Sequence, residues 1–404
     1  MRRIALYSHD AQGLGHMRRN LAIASVLADA RPSSILLIAG AREAARFPLP
    51  PCTDTLALPA LRKDANGRYA SRSLGLDVES MVDLRAATLH AALAAFQPDV
   101  MIVDKLPSGV HGELATSFGL LARMGTKLVL GMREVLDEPD RVHAEWDADG
   151  ALDVLRRHYH AVWVYGDPRV YDPVVEYDVP ADVARMVRYS GYIDRLAERR
   201  DTGDRERFRL PGGRLSVCLV GGGEDGHRLA DAFARCRLPE GATGVVVTGP
   251  FMPTEQRERL EALVGARDDM RLLDFLPDAD ALIALADDVI SMGGYNTSCE
   301  ILASGRRALI VPRVEPRREQ LIRARRLSAL GSVDLLEPQD LTAGALTGWL
   351  AASDRRPHRR TRRIDMGGLR RLPVMLDEVL DAGPAEPGTG PRVLHGAIPA
   401  VVLR

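Results

Sequence analysis

Cysteine, lysine and long apolar runs are scarce in this sequence, and each shortage closes off a class of protein. The four cysteines (Cys52, Cys218, Cys236 and Cys299) are scattered and form no Cys-x-x-Cys pair, so neither a zinc site nor a disulfide framework is indicated. No apolar stretch approaches the roughly 20 residues of a membrane-spanning helix. After Met1-Arg2-Arg3 only about five apolar residues precede His9 and Asp10, too few for a secretory signal, and a cytoplasmic location is expected. Lysine is confined to Lys63, Lys105 and Lys127, and arginine supplies the rest of the 54 basic residues. That bias reads as genome composition first and chemistry second. A net charge is also lacking, since the formal value of −1 gives no global pull toward nucleic acid or membrane. The chain has 404 residues, 46% hydrophobic and 27% charged, as expected of a soluble globular protein long enough for two domains.

The most informative features present are two glycine-rich turns. The first, Asp10-Ala11-Gln12-Gly13-Leu14-Gly15-His16-Met17-Arg18-Arg19, follows the apolar run Ile4-Ala5-Leu6-Tyr7. The second, Gly221-Gly222-Gly223-Glu224-Asp225-Gly226-His227, follows Leu215 to Val220. A strand that stops at glycines and restarts as a helix leaves unpaired N–H groups at the positive end of the helix dipole, a ready anion site. Two such turns suggest two lobes holding a phosphorylated ligand in a cleft.

Hydrophobic patterning predicts an alternating α/β chain. In the first half, strands are expected at Arg3–Ser8, Ser34–Ala39, Val100–Asp104, Lys127–Gly131, Ala161–Tyr165 and Val187–Ser190. Helices are expected over 16–29, 77–96, 110–124 and 141–159, with a long functional loop over 48–75. In the second half, strands at Leu215–Val220, Gly244–Thr248, Arg271–Phe275, Asp288–Ser291 and Ala308–Pro312 alternate with helices over 227–236, 254–265, 279–286, 297–304 and 318–330. Near-continuous apolar strands between helices imply parallel sheets covered on both faces. The expected division is an amino-terminal Rossmann-like unit over 1–192 and a linker over 193–213. A carboxy-terminal unit over 214–382 and a Pro/Gly-rich tail over 383–404 complete it. The third glycine of a dinucleotide fingerprint is replaced by Arg18, and the second strand ends in Ala39-Gly40-Ala41 with no acid for a ribose, which argues against NAD. Neither turn has the Gly-Lys-Ser/Thr of a P-loop.

A family resemblance rests on four segments. They are Leu272-Leu273-Asp274-Phe275-Leu276-Pro277, Ala286 to Ser291, Gly293-Gly294-Tyr295-Asn296-Thr297-Ser298-Cys299-Glu300 through Pro312, and Arg318-Glu319-Gln320. Over most of residues 215–331 this order and spacing resembles the donor domain of GT-B glycosyltransferases, specifically the family 28-like carboxy-terminal domain of the peptidoglycan lipid-I N-acetylglucosaminyltransferase group. The amino-terminal Gly-x-Gly-His-x-x-Arg is similar both to that group and to the UDP-sugar hydrolase of the pseudaminic acid pathway. The resemblance implies a GT-B fold, two Rossmann-like domains with parallel sheets facing across a cleft. It also implies a glycosyltransferase that takes a nucleotide sugar, UDP-linked, as donor and a hydroxyl acceptor of unknown class. A UDP-sugar hydrolase or 2-epimerase, or a non-catalytic nucleotide-sugar-binding protein, stays open beside it.

The resemblance assigns ribose binding to Glu300 and the donor turn to Gly293, Gly294, Asn296 and Thr297. From spacing alone, Thr297-x-x-Glu300 also reads as a capping box. Gly221, Gly222 and Gly223 correspond to the family's diphosphate-side loop, whose N–H groups stand in for a metal. No metal, and no cofactor beyond the nucleotide-sugar co-substrate, is therefore expected. Asp147-x-Asp149 and Asp278-x-Asp280 look superficially like metal-binding pairs, but Asp278 reads as an ordinary N-cap after Pro277. Glu319 and Gln320 correspond to the family's contacts with donor sugar hydroxyls, or else form a solvated helix start. His16, at the helix entrance after Gly15, is the candidate general base. Asp10 is a second candidate base or the group that orients His16. Gly13, Gly15 and Arg18 are candidate phosphate contacts, although an exposed helix arginine is the plainer reading of Arg18 and Arg19. Asp104, Arg133 and Glu134 fall at strand carboxyl ends and are candidates for the acceptor rim. The basic stretch from Arg355 to Arg371 reads as a solvated basic face, with attraction to an anionic acceptor or an anionic membrane surface open beside it. It lacks interleaved aromatics, so no nucleic-acid partner is expected.

Overall fold

The computed structural model describes residues 1–9, 15–40, 48–63, 69–195, 205–223, 225–276, 279–352 and 364–382. The amino-terminal half runs β1 (Arg2–Ser8), α1 (Gly15–Ala30), β2 (Ser33–Ala39), β3 (Thr53–Ala57), β4 (Leu61–Lys63), β5 (Tyr69–Ser71), α2 (Val78–Phe96), β6 (Val100–Asp104), α3 (Ala115–Arg123) and β7 (Lys127–Arg133). It continues through α4 (Pro139–Asp149), α5 (Ala151–His158), β8 (Ala161–Tyr165), α6 (Pro173–Glu176), α7 (Ala181–Ala184) and β9 (Val187–Tyr189). The carboxy-terminal half runs β10 (Leu215–Leu219), α8 (His227–Arg235), β11 (Thr243–Val247), α9 (Thr254–Gly265), β12 (Met270–Leu273), α10 (Ala279–Leu285), β13 (Asp288–Ser291), α11 (Tyr295–Ser304) and β14 (Arg307–Ile310). It ends with α12 (Glu319–Ala329), β15 (Asp334–Leu335), α13 (Ala343–Ala351) and α14 (Gly368–Asp381).

Each half builds a parallel sheet because its strands are apolar on both faces. Ile4, Ala5, Leu6 and Tyr7 of β1 are all fully buried, which only a sheet covered on both sides allows. The first sheet has the order β3-β2-β1-β6-β7-β8-β9, and the second β12-β11-β10-β13-β14-β15. In each, the strand order reverses beside the first strand of the lobe, between β1 and β6 and between β10 and β13. Ligands of open parallel sheets bind outside the strand carboxyl ends at that reversal. The topology therefore selects the segments after β1, β6, β10 and β13, where both glycine turns lie.

Three features depart from the sequence reading. The stretch expected to be one long loop over 48–75 holds β3, β4 and β5. β3 is a half-exposed edge strand, and the other two form a three-residue antiparallel pair, too short for a periodic signal. The helix expected over 141–159 is broken into α4 and α5 at Gly150, whose φ of 58° is left-handed. Helix α14, assigned by sequence to the carboxy-terminal unit, packs against α1 of the amino-terminal one. Its Asp377 pairs with Arg2 and, at 2.7 Å, with Arg31. Residues 367–368 also bond back to Tyr192 and Ile193, so the chain recrosses to the first lobe before α14 begins.

Candidate active site

The amino-terminal side of the cleft is built from the ends of β1, β6 and β7, adjacent strands of the sheet. β1 feeds α1, whose first turn presents His16. Asp104, the last residue of β6, is 2% exposed and lies with Oδ2 2.8 Å from His16 Nδ1. Arg19, one turn along α1, donates Nη2 to the same carboxylate, at 2.5 Å to Oδ1. Burial alone would raise the Asp104 carboxyl, but Arg19 and His16 outweigh it and hold it well below the usual carboxylate range. An ionised carboxylate can only accept, so His16 Nδ1 carries the proton and Nε2 is the nitrogen left to act as base. The 3.0 Å approach of Arg19 Nη2 to His16 Nδ1 follows from both groups converging on one carboxylate.

The carboxy-terminal side is backbone. Gly223 has a φ of 97°, and a Cβ there would sit 2.3 Å from the Thr248 carbonyl oxygen. Gly293, with a φ of 73°, brings the chain against Ile310, where a Cβ would lie 2.6 Å from Cγ2. Gly294 then caps α11 without a side-chain bond, and neither α11 nor α1 carries an acid in its first turn. Open N–H groups and an uncompensated dipole at these helix starts favour an anion. Both lobes face one cavity of about 220 Å³, lined by Gly15, His16, Arg18, Arg19 and Arg133 on one side. Gly221, Gly222 and the segment Gly294-Tyr295-Asn296-Thr297 line the other, and Phe251, Phe275 and Leu276 form an apolar wall. Among the described residues no acidic side chain lines it.

The lobes touch at this point. Asn296 Nδ2 donates to the Gly15 carbonyl at 3.0 Å, and Tyr295 Oη to that of Tyr165 at 2.9 Å. Glu300, buried on α11, accepts from Arg18 Nη2 at 2.9 Å and Arg195 Nη1 at 3.4 Å, both on Oε1. Its Oε2 is buried with no hydrogen-bond partner. Burial raises the Glu300 carboxyl, and Arg18 and Arg195 offset only part of that.

Several expected site residues fare differently. The capping box does not form, because α11 begins at Tyr295 with Gly294 as N-cap, which puts Thr297 inside the helix. Glu319 and Gln320 are buried rather than solvated and both are held by Arg313: Glu319 Oε1 accepts from Nη2 at 3.1 Å and Gln320 Oε1 from the backbone N–H at 3.0 Å. Neither lines the cavity. Glu134 is not on the rim. It is fully buried and takes Arg323 Nε at 2.6 Å and Tyr192 Oη at 2.9 Å. Arg18 and Arg19 are not exposed helix arginines, since Arg19 is 3% exposed and Arg18 bridges the lobes. Arg133 lines the cavity. Asp10, Gly13 and Asp278 lie outside the described residues, and Asp104 is the described carboxylate that orients His16. Sequence reasoning missed the pairing role of Arg19, although its i,i+3 spacing from His16 puts both on one helix face.

Two parallel-sheet lobes meeting at their strand-end glycine turns define a protein of the GT-B architecture. Within it, residues 217–367 match the model of the glycosyltransferase family 28 C-terminal domain, a match ending one residue before α14 recrosses to the first lobe. The chain is 25% identical to the UDP-N-acetylglucosamine–N-acetylmuramyl-(pentapeptide) pyrophosphoryl-undecaprenol N-acetylglucosamine transferase of Vibrio cholerae, over 65% of this chain and 66% of that one. The match is thus a little under two thirds of that relative and shorter in others of the same name. Among solved structures, the calicheamicin glycosyltransferase CalG4 superposes with a TM-score of 0.62 at 16% identity, covering 94% of this chain and 98% of that one. The UDP-GlcNAc 2-epimerase of Neisseria meningitidis bound to UDP-GlcNAc gives 0.59 at 13%, covering 94% and 99%.

Proposed function

We propose that this protein is a metal-independent glycosyltransferase that moves a sugar from a nucleotide sugar, UDP-linked, to a hydroxyl acceptor. The observation that carries the reading is the His16–Asp104 pair at 2.8 Å, set in one cavity with glycine turns and helix starts that carry no acid. His16 Nε2 takes the acceptor's proton while the acceptor oxygen bonds the anomeric carbon. The bond from that carbon to the diphosphate breaks, and the nucleoside diphosphate leaves with its electron pair. N–H groups of the Gly221–Gly223 loop and the first turn of α11 stabilise the departing charge, a preorganised electrostatic role that is often the largest catalytic term. Glu300 keeps Oε1 on Arg18 and Arg195, and its unpartnered Oε2 suits a ribose hydroxyl.

The relatives' printed name describes a pyrophosphoryl-undecaprenol acceptor, so lipid-linked acceptors belong in the test set with soluble ones. Among the described residues no helix is long and apolar enough to cross a membrane, and the proposal includes a cytoplasmic enzyme with peripheral membrane contact. The likeness to a UDP-GlcNAc 2-epimerase favours a second reading, in which water or the sugar itself replaces the acceptor. Incubation with UDP- and dTDP-sugars, with and without acceptor-containing cell extract and with EDTA, separates the two. The transferase reading predicts release of nucleoside diphosphate that depends on extract and survives EDTA. Sugar-nucleotide turnover without extract would favour the hydrolase or epimerase, and a strict need for added Mg²⁺ or Mn²⁺ would sink the metal-independent mechanism.

A further inference from the structure

Three arginines line the cavity, and two of them are spoken for. Arg18 bonds Glu300 and Arg19 bonds Asp104. Arg133, the last residue of β7, donates no hydrogen bond and forms no ion pair among the described residues, although it is only partly exposed. Its surroundings make its charge costly. Burial lowers the guanidinium below its ordinary value; Glu319, the largest charge acting on it, and Asp104 raise it, while Arg323 and Arg19 lower it. A partly desolvated guanidinium that hydrogen-bonds to no partner is retained at a cost in stability unless an anion binds it.

We infer that Arg133 is a phosphate subsite, contributed by the amino-terminal lobe, that faces the diphosphate held by the glycine turns of the opposite lobe across the shared cavity. The inference rests on the nucleotide-sugar reading for the identity of the phosphate but not for its existence. The order of the strand ends supports it. His16 follows β1, Asp104 ends β6 and Arg133 ends β7, so the cation stands two strands from the base, on the order of 10 Å at about 4.8 Å per strand. A ligand with its reacting carbon near His16 would reach Arg133 with a group roughly one diphosphate away. Arginine suits the task, because its planar fork meets two phosphate oxygens at once. The site is therefore split between lobes. Backbone N–H groups on one side bind without charge, and Arg133 adds a full charge from the other.

The test is calorimetric binding of inorganic pyrophosphate, UDP and uridine to the full chain and to Arg133→Gln and Arg133→Lys, with thermal melting of each. Arg133→Gln is expected to weaken pyrophosphate and UDP tenfold or more and to leave uridine unchanged, with Arg133→Lys recovering part of the loss. Its melting temperature should equal or exceed that of the wild type, because a partly desolvated charge without a hydrogen-bonded partner has been removed. If UDP fails to bind at all while pyrophosphate still weakens tenfold in Arg133→Gln, the nucleotide-sugar reading falls and the phosphate subsite stands. Pyrophosphate affinity equal in Arg133→Gln and wild type would overturn the subsite, whatever UDP does. A marked fall in melting temperature would overturn it too, by making the guanidinium a structural element.

Discussion

Asp104 shows how one buried carboxylate can do two jobs. It neutralises Arg19, which is otherwise a buried cation, and it fixes the tautomer and direction of His16. Breaking a buried pair leaves the surviving charge uncompensated, at a cost of about 3–5 kcal/mol. Asp104→Asn should therefore melt markedly earlier than wild type and also lose rate, because an amide gives His16 no fixed tautomer. An Asp104→Asn variant of unchanged stability would mean that the Arg19–Asp104 pair has little weight. Glu300 makes the opposite electrostatic case. Its carboxyl is raised by burial, so the folded protein holds that proton at pH values where an unfolded glutamate has released it. Stability from this group is then greatest below the ordinary glutamate range and declines as pH rises through the raised value. Binding runs the other way, since a ribose hydroxyl is accepted best by the ionised form. UDP affinity should fall on acidification at a higher pH than an ordinary glutamate would dictate. Glu300→Gln should flatten that part of the profile and weaken binding by about 1–3 kcal/mol. A pH profile identical in Glu300→Gln and wild type would remove Glu300 from the nucleotide site.

The glycine turns are the elements on which the account depends. At Gly223 a side chain meets both a left-handed φ of 97° and a backbone oxygen 2.3 Å from the new Cβ, and backbone yields less easily than a side-chain tip. Gly223→Ala should destabilise by more than the roughly 1 kcal/mol of an ordinary Gly/Ala exchange. It should also weaken UDP binding, because the loop carrying the N–H groups must shift. Calorimetry and melting on the same sample check both, and normal UDP affinity would contradict the loop's role. These turns were legible in the sequence because each follows a strand buried on both faces, and the apolar run Leu215–Val220 passes directly into Gly221. The edge strands β3 and β15 were not, being half-exposed or only two residues long. The α4–α5 break was hidden because Gly150 interrupts a pattern that stays helical on either side. Asp104 and Arg133 could be placed on the rim by topology alone, but which partner each holds depends on how neighbouring strand ends converge. Sequence gives no measure of that.

At the scale of the whole molecule, the two lobes are firmly joined. Arg323 of α12 and Glu134 after β7 form an ion pair buried on both sides, and Arg317 reaches Asp137 at 3.4 Å and Glu145 at 2.6 Å. Helix α14 returns the end of the chain to α1, so the lobes are linked by two chain crossings rather than one. That arrangement suits a cleft in which the donor sits on backbone of one lobe and the base is supplied by the other. The proposed function makes His16 the decisive position, because it assigns His16 to the chemistry of one lobe and the nucleotide grip to the other. The most direct measurement compares turnover and calorimetric UDP affinity in His16→Ala and wild type. Removal of a general base should lower the rate by on the order of 10² to 10⁴, with UDP affinity within a few-fold of wild type. Unchanged turnover in His16→Ala, or a loss of UDP binding as large as the loss of rate, would contradict the account.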